Sequence, residues 1–168
     1  MRTVELLCCP ALERAVRAAW ERLAQAGLPS LARNTHPTNR PHLTLASADH
    51  LPPDVARRLA GLLADALPLT ARPEAVDLLD GVHPLVWRLA PAPELLALQA
   101  AVWRALDGVG GRNPWHEPGR WTPHLSLALR FGATDLGRGR AVVGAPPPPG
   151  RFVAARSYDS TDRSVVPF

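Results

Sequence analysis

The chain repeats itself, and this repetition restricts the fold more than any single motif does. At an offset of 83 residues (89 − 6), Leu6 meets Leu89, Pro10 meets Pro93, Leu12 meets Leu95, Trp20 meets Trp103 and Leu23 meets Leu106. One residue is lost in the next loop. At an offset of 82 (124 − 42), Pro41-His42-Leu43-Thr44-Leu45-Ala46 meets Pro123-His124-Leu125-Ser126-Leu127-Ala128, with a Thr/Ser exchange as the one difference. Two copies make an internal duplication rather than a solenoid. Each half reads strand, helix, polar loop, strand, helix, strand. The expected product is one α+β domain over residues 1–168, with a first repeat over about 1–80 and a second over about 81–168. Its two pseudo-symmetric lobes should each hold a mostly antiparallel sheet with helices on one face, with the active site in the cleft between them.

The local pattern agrees with that plan. Residues 3–9 read as a strand, and Pro10 opens a helix where its missing N–H costs nothing. Leu12, Val16, Ala19, Trp20 and Leu23 recur at helical spacing on one face, and Gly27 ends the run. A strand over 42–47, a helix from Pro53 to about 67, a strand around 75–79 and a turn at Gly81 complete the first half. The second half gives a strand over 85–89 with His83 at its start, and a helix from Pro93. A strand over 121–130, a weak helix around 134–142, a strand over 151–158 and a short one over 165–168 follow. Trp20 and Trp103 sit on apolar helix faces and read as core. The polar loops before the two repeated strands should border the cleft.

Composition excludes several classes. At 168 residues, 46% apolar and 20% charged, the chain can bury a core and is not disordered. No apolar run approaches the ~18 residues of a membrane span, and the N-terminal run is too short for a signal peptide, so a cytoplasmic protein is expected. Cys8 and Cys9 are adjacent, a poor spacing for a disulfide or a zinc site, and read as buried thiols. Six histidines lack any H-E-x-x-H arrangement, so neither metal nor cofactor is expected. All 19 basic residues are arginine against 15 carboxylates, a net charge of +4. Arginine in place of lysine, with 19 prolines and abundant alanine, reads as the bias of a GC-rich genome. The modest excess suits a local anionic ligand better than a polyanion-coating surface.

The repeated strands carry the chemistry. Alternate residues of a strand share a face, so His42 and Thr44 face one way, as do His124 and Ser126, while the leucines between them point into the core. Pseudo-symmetry brings two imidazoles and two hydroxyls to one centre. Two histidines on opposite sides of a phosphorus atom can act as general base and general acid without a metal. The hydroxyls of Thr44 and Ser126 can donate to the non-bridging oxygens of the transition state.

These paired His-x-Thr/Ser motifs, His42-Leu-Thr44-Leu and His124-Leu-Ser126-Leu, resemble those of the 2H phosphoesterase superfamily. Within it the chain is most similar to the 2′-5′ RNA ligase / RNA 2′,3′-cyclic phosphodiesterase family, over nearly its whole length. The resemblance implies metal-independent opening of RNA 2′,3′-cyclic phosphate ends to 2′-phosphates, and in some members reversible 2′-5′ joining. Rival readings are a 2′-5′ oligonucleotide phosphodiesterase and a non-catalytic RNA-end-binding protein. The partners it implies are RNA ends or nucleotides bearing a 2′,3′-cyclic phosphate, with a monomer expected. Many members carry arginine five residues after the second histidine; here that position is Leu129 and arginine follows at Arg130. On a regular strand Arg130 would share the face of His124 and bind phosphate. His36, Arg40, Trp115, Arg120 and Trp121, in the loops before the motifs, are candidate substrate contacts through guanidinium forks and aromatic stacking. His42 as acid and His124 as base is the preferred assignment.

Overall fold

In the computed structural model, residues 1–80 and 83–168 are described; the turn expected at Gly81 lies outside them. Among the described residues eight strands and four α-helices run in the order β1 (Arg2–Cys8), α1 (Pro10–Gln25), β2 (His42–Ala48), α2 (Pro53–Ala66), β3 (Leu69–Ala71), β4 (Pro73–Leu78), β5 (Leu85–Leu89), α3 (Pro93–Ala105), β6 (His124–Ala128), α4 (Leu136–Val143), β7 (Gly150–Asp159) and β8 (Val165–Pro167). Short 3-10 turns at Leu31–Arg33, Pro114–His116 and Ala133–Asp135 punctuate the loops.

The strands form two antiparallel sheets. One has the order β2-β1-β7-β3, with β8 also on β7; the other is β4-β5-β6. In each sheet the central strand is the first strand of a repeat (β1 or β5), and one neighbour is that repeat's histidine strand (β2 or β6). The other neighbour is exchanged: β7, late in the chain, pairs with β1, while β4, from the first half, pairs with β5. The sheets are therefore two copies of one pattern that have traded their third strands.

Proline opens α1, α2 and α3, as the sequence demands. The apolar faces then dictate the packing. Leu12, Val16, Ala19, Trp20 and Leu23 of α1 are buried, as are Leu95, Leu98 and Val102 of α3, in one core with Leu43, Leu45, Leu125 and Leu127. Each of these helices also reaches the other sheet. The Trp20 indole N–H on α1 donates to the Ser126 carbonyl on β6 at 2.9 Å, and the Gln99 amide on α3 donates to the Leu45 carbonyl on β2 at 3.2 Å. Trp103 is only half-buried, with the Arg112 guanidinium 4.5 Å over its ring.

Three local differences from expectation have physical reasons. β3 is an additional three-residue strand, too short to show periodicity. β6 ends at Ala128 rather than continuing to Arg130, because Leu129 and Arg130 form a bend. Residues 121–123 precede that strand, and His83, at φ 52°, lies before β5. Gly111 shows what a glycine does here: at φ 68° it packs against the Asp49 carboxylate where a Cβ would collide, which seats the loop leading to His124 on the end of β2. Cys8 is buried and Cys9 half-buried, both free. Burial, with a smaller contribution from Glu13, pushes the Cys8 thiol up to about 12, so it stays protonated. Among the described residues no helix is long and apolar enough to cross a membrane.

Candidate active site

The site is built on β2 and β6, which pack directly against each other. From His42 to Leu45 and from His124 to Leu127 burial alternates as the sequence requires. His42 and Thr44, and His124 and Ser126, are half-buried, while the leucines between them are fully buried.

Both imidazoles are anchored in the same way. Nδ1 of His42 lies 2.7 Å from the Arg40 carbonyl, and Nδ1 of His124 lies 2.7 Å from the Thr122 carbonyl. A carbonyl can only accept, so each Nδ1 carries the proton. Nε2 of each ring is left for chemistry, at the same position in both copies.

The surroundings of the two rings differ in sign. At the 83-residue offset Glu5 on β1 corresponds to Arg88 on β5. Glu5 pairs across the sheet with Thr44, and Arg88 pairs with His124. The Glu5 carboxylate is 2% exposed, and its Oε1 sits 3.5 Å from Nε2 of His42. Thr3 donates to the same oxygen at 2.7 Å, and Arg156 on β7 donates to Oε2 at 2.7 Å. Across the site, Arg88 is held by Asp77 on β4 at 2.9 Å. Each sheet thus carries an ion pair between its central and third strands, and the polarity is reversed. Burial depresses the His124 imidazole below its ordinary value. The Thr122 hydrogen bond opposes this, and the charges of His42 and Arg88 add to it. His116 is pushed down to about 4, mainly by burial and secondarily by His124.

The residues divide among three cavities. One of about 300 Å³ is lined by His42, Thr44 and Ser126 together with Glu5, Arg156 and Leu129. A smaller one, about 140 Å³, is lined by His124, Arg88, His116, Trp115, Arg120 and Trp121. An outer one of about 680 Å³ holds Arg33, His36, Arg130 and Arg163.

The other candidates fall as follows. Arg130 leaves the strand at the bend and lines the outer cavity, while Leu129, 61% exposed, lines the cavity of His42. His36 also lines the outer cavity, with Nδ1 2.8 Å from the Thr38 hydroxyl. Arg40 borders the His42 cavity, but its guanidinium is tied to Glu13 on α1 at 2.7 Å. Trp115 is exposed, with Arg120 5.0 Å over its ring. Trp121 is buried, and its indole N–H donates to the Thr44 carbonyl at 3.0 Å, so it braces the first histidine strand from the second repeat.

Glu5, Arg88, Arg156 and Tyr158 were not singled out from the sequence, yet all border these cavities. The signal was present for two of them. Thr3 and Glu5 alternate with apolar residues in the first strand, and the repeat offset maps Glu5 onto Arg88, so one cleft-facing position carries a charge in both copies.

A family model described as the 2′-5′ RNA ligase superfamily matches residues 11–156. Among solved structures, Usb1 of Kluyveromyces marxianus superposes with a TM-score of 0.54 at 11% identity, covering 99% of this chain and 96% of that one. A search of curated proteins finds no match.

Proposed function

Since the chain belongs to the 2′-5′ RNA ligase superfamily, the family of two-histidine (2H) phosphoesterases, we propose that it hydrolyses RNA 2′,3′-cyclic phosphate ends to 2′-phosphates by general acid–base catalysis without a metal. One observation carries the reading: two imidazoles on equivalent strands, each locked through Nδ1 to the carbonyl two residues before it, which leaves Nε2 of each ring as the nitrogen not held by the backbone.

The roles follow from the neighbours. An imidazole whose Nδ1–H is already committed acts as base through Nε2 when neutral and as acid when Nε2 also bears a proton. Burial, and to a lesser extent the charges of His42 and Arg88, favour the neutral ring at His124. Glu5 offers an acceptor to an Nε2–H at His42. His124 takes a proton from water as the water oxygen bonds to phosphorus. The P–O3′ bond breaks, and His42 delivers its Nε2 proton to O3′. Thr44 and Ser126 donate to the non-bridging oxygens, where the added charge resides. Proton exchange with solvent then restores both rings. In the same direction, with a ribose 5′-hydroxyl in place of water, the same groups support 2′-5′ joining: the P–O5′ bond forms as P–O3′ breaks.

The test is incubation with a nucleoside 2′,3′-cyclic phosphate in EDTA and identification of the product isomer. A 2′-phosphate formed at undiminished rate is expected. A 3′-phosphate, or loss of activity with the chelator, would overturn the reading. Cleavage of 2′-5′ linkages with no action on cyclic ends would instead identify an oligonucleotide phosphodiesterase, and binding without turnover an RNA-end-binding protein.

A further inference from the structure

The outer cavity lies beyond the catalytic groups and has a chemistry of its own. At about 680 Å³ it is larger than the cavity of His42 and falls in the size range that holds small ligands. Leu31, Asn34, Thr38, Leu129 and Tyr158 line both, so the two form one continuous trough.

Among the described residues three arginines face this space, Arg33, Arg130 and Arg163, and no carboxylate lines it. The arginines nearest the histidines are answered by carboxylates: Glu13 holds Arg40, Asp77 holds Arg88 and Glu5 holds Arg156. Among the described residues none of the three cavity arginines has a carboxylate within ion-pair distance. Asp162, beside Arg163 in sequence, turns its carboxylate to the Ser164 N–H at 2.8 Å. Arg163 itself sits at φ 58°, a region a side chain of its kind rarely adopts, so the β7–β8 turn holds it there at a conformational cost. His36 adds a ring, and Pro29, Leu31 and Leu129 supply apolar surface.

We propose that this cavity is a second phosphate subsite, which holds the phosphodiester on the 5′ side of the nucleotide whose cyclic phosphate lies between the histidines. This rests on the phosphodiesterase reading above. A cyclic phosphate closes the 3′ end of a strand, so the next phosphate along the substrate is the one on the terminal nucleotide's 5′ oxygen. Unanswered guanidinium groups take a phosphodiester through charge-assisted hydrogen bonds, and the apolar wall takes ribose or base. The enzyme is thereby a reader of strand ends rather than of free cyclic mononucleotides.

The experiment compares three substrates: a nucleoside 2′,3′-cyclic phosphate, its 5′-phosphomonoester, and a dinucleotide ending in the cyclic phosphate. In the wild-type protein kcat/KM for the dinucleotide should exceed that for the unphosphorylated nucleoside by roughly tenfold or more, the scale of one hydrogen bond to a charged group. The double variant Arg33→Ala/Arg163→Ala should lose this advantage and keep turnover of the unphosphorylated nucleoside within about twofold. No wild-type preference, or equal losses on all three substrates, overturns the subsite. A preference for the 5′-monoester over the dinucleotide overturns the strand as its occupant and leaves a free nucleotide. A second arm needs no turnover: calorimetric affinity for a dinucleotide ending in a 2′-phosphate, measured against salt. The slope of log K on log salt should flatten in the double variant by about 0.7 per lost phosphate contact. An unchanged slope overturns the proposal. A wild-type protein inert on all three substrates refutes the phosphodiesterase reading, and the binding arm still decides the subsite.

Discussion

Glu5→Gln separates the roles of the two histidines. The substitution keeps the shape of the side chain and removes its charge 3.5 Å from Nε2 of His42. At that distance, Coulomb attraction between a carboxylate and an imidazolium is about 1.2 kcal/mol in a water-like medium and about 4.7 kcal/mol at an effective dielectric of ~20. Arg156, 2.7 Å from the other carboxylate oxygen, cancels part of this field and places the effect near the lower end. A loss of about 1–2 kcal/mol, roughly tenfold in the acid step, is the expected magnitude. The assay uses two substrates. One is a nucleoside 2′,3′-cyclic phosphate, whose ribose leaving group must be protonated. The other is a 3′-deoxynucleoside 2′-nitrophenyl phosphate, whose phenolate leaves without a proton. Glu5→Gln should slow the first about tenfold and leave the second nearly unchanged. Breaking a buried ion pair also costs stability, about 3–5 kcal/mol where the remaining charge stays dry. The ratio of the two rates is insensitive to the fraction folded, and a thermal melt sets the working temperature. A ratio equal to that of the wild type would refute Glu5 as the group that holds His42 ready to donate.

The same pair of substrates applied to the histidines gives a sharper contrast. His42→Ala should lower turnover of the cyclic phosphate by ~10²–10⁴ and recover much of it on the nitrophenyl ester, whereas His124→Ala should lose on both; rates measured in EDTA check this. The depressed His124 should keep the base competent below the ordinary histidine range, so the acidic limb of the kcat/KM profile should lie below pH 6.5. Stability should also depend on acid. Between pH 6.5 and about 4 the unfolded chain binds a proton at His116 that the folded chain does not, so stability falls as pH drops through that window. The slope reaches at most about 1.4 kcal/mol per pH unit per histidine; His116→Gln should flatten it in urea midpoints. Trp121→Phe removes the donor to the Thr44 carbonyl. It should cost ~1–3 kcal/mol in thermal or urea unfolding, with a fall in kcat as the first histidine strand loosens.

The duplication was legible because it is written in core leucines and in the prolines that open helices. Leucine, proline and tryptophan at matching offsets are constrained by packing and by helix starts, so both copies kept them. His42, Thr44, His124 and Ser126 were legible for a second reason: they occupy the outward register of strands whose inward register is all leucine, and burial follows that alternation residue by residue. The exchange of β4 and β7 was not legible, because pairing partners far apart in the chain leave no periodic trace in either strand. Arg130 shows the limit of register arguments. Counting along an ideal strand places it beside His124, but a bend after Ala128 sends it into the outer cavity. The asymmetry between the histidines lies between these cases. It needed the repeat to show that Glu5 and Arg88 are the same position, and the sheet register to show that this position adjoins the histidine strand in both copies. Two identical imidazoles can share one proton but have no built-in preference for which ring holds it; opposite charges at one equivalent site supply such a preference under the proposed mechanism. The opposing charges on the third strands, Arg156 and Asp77, keep each of these charges compensated within its own sheet.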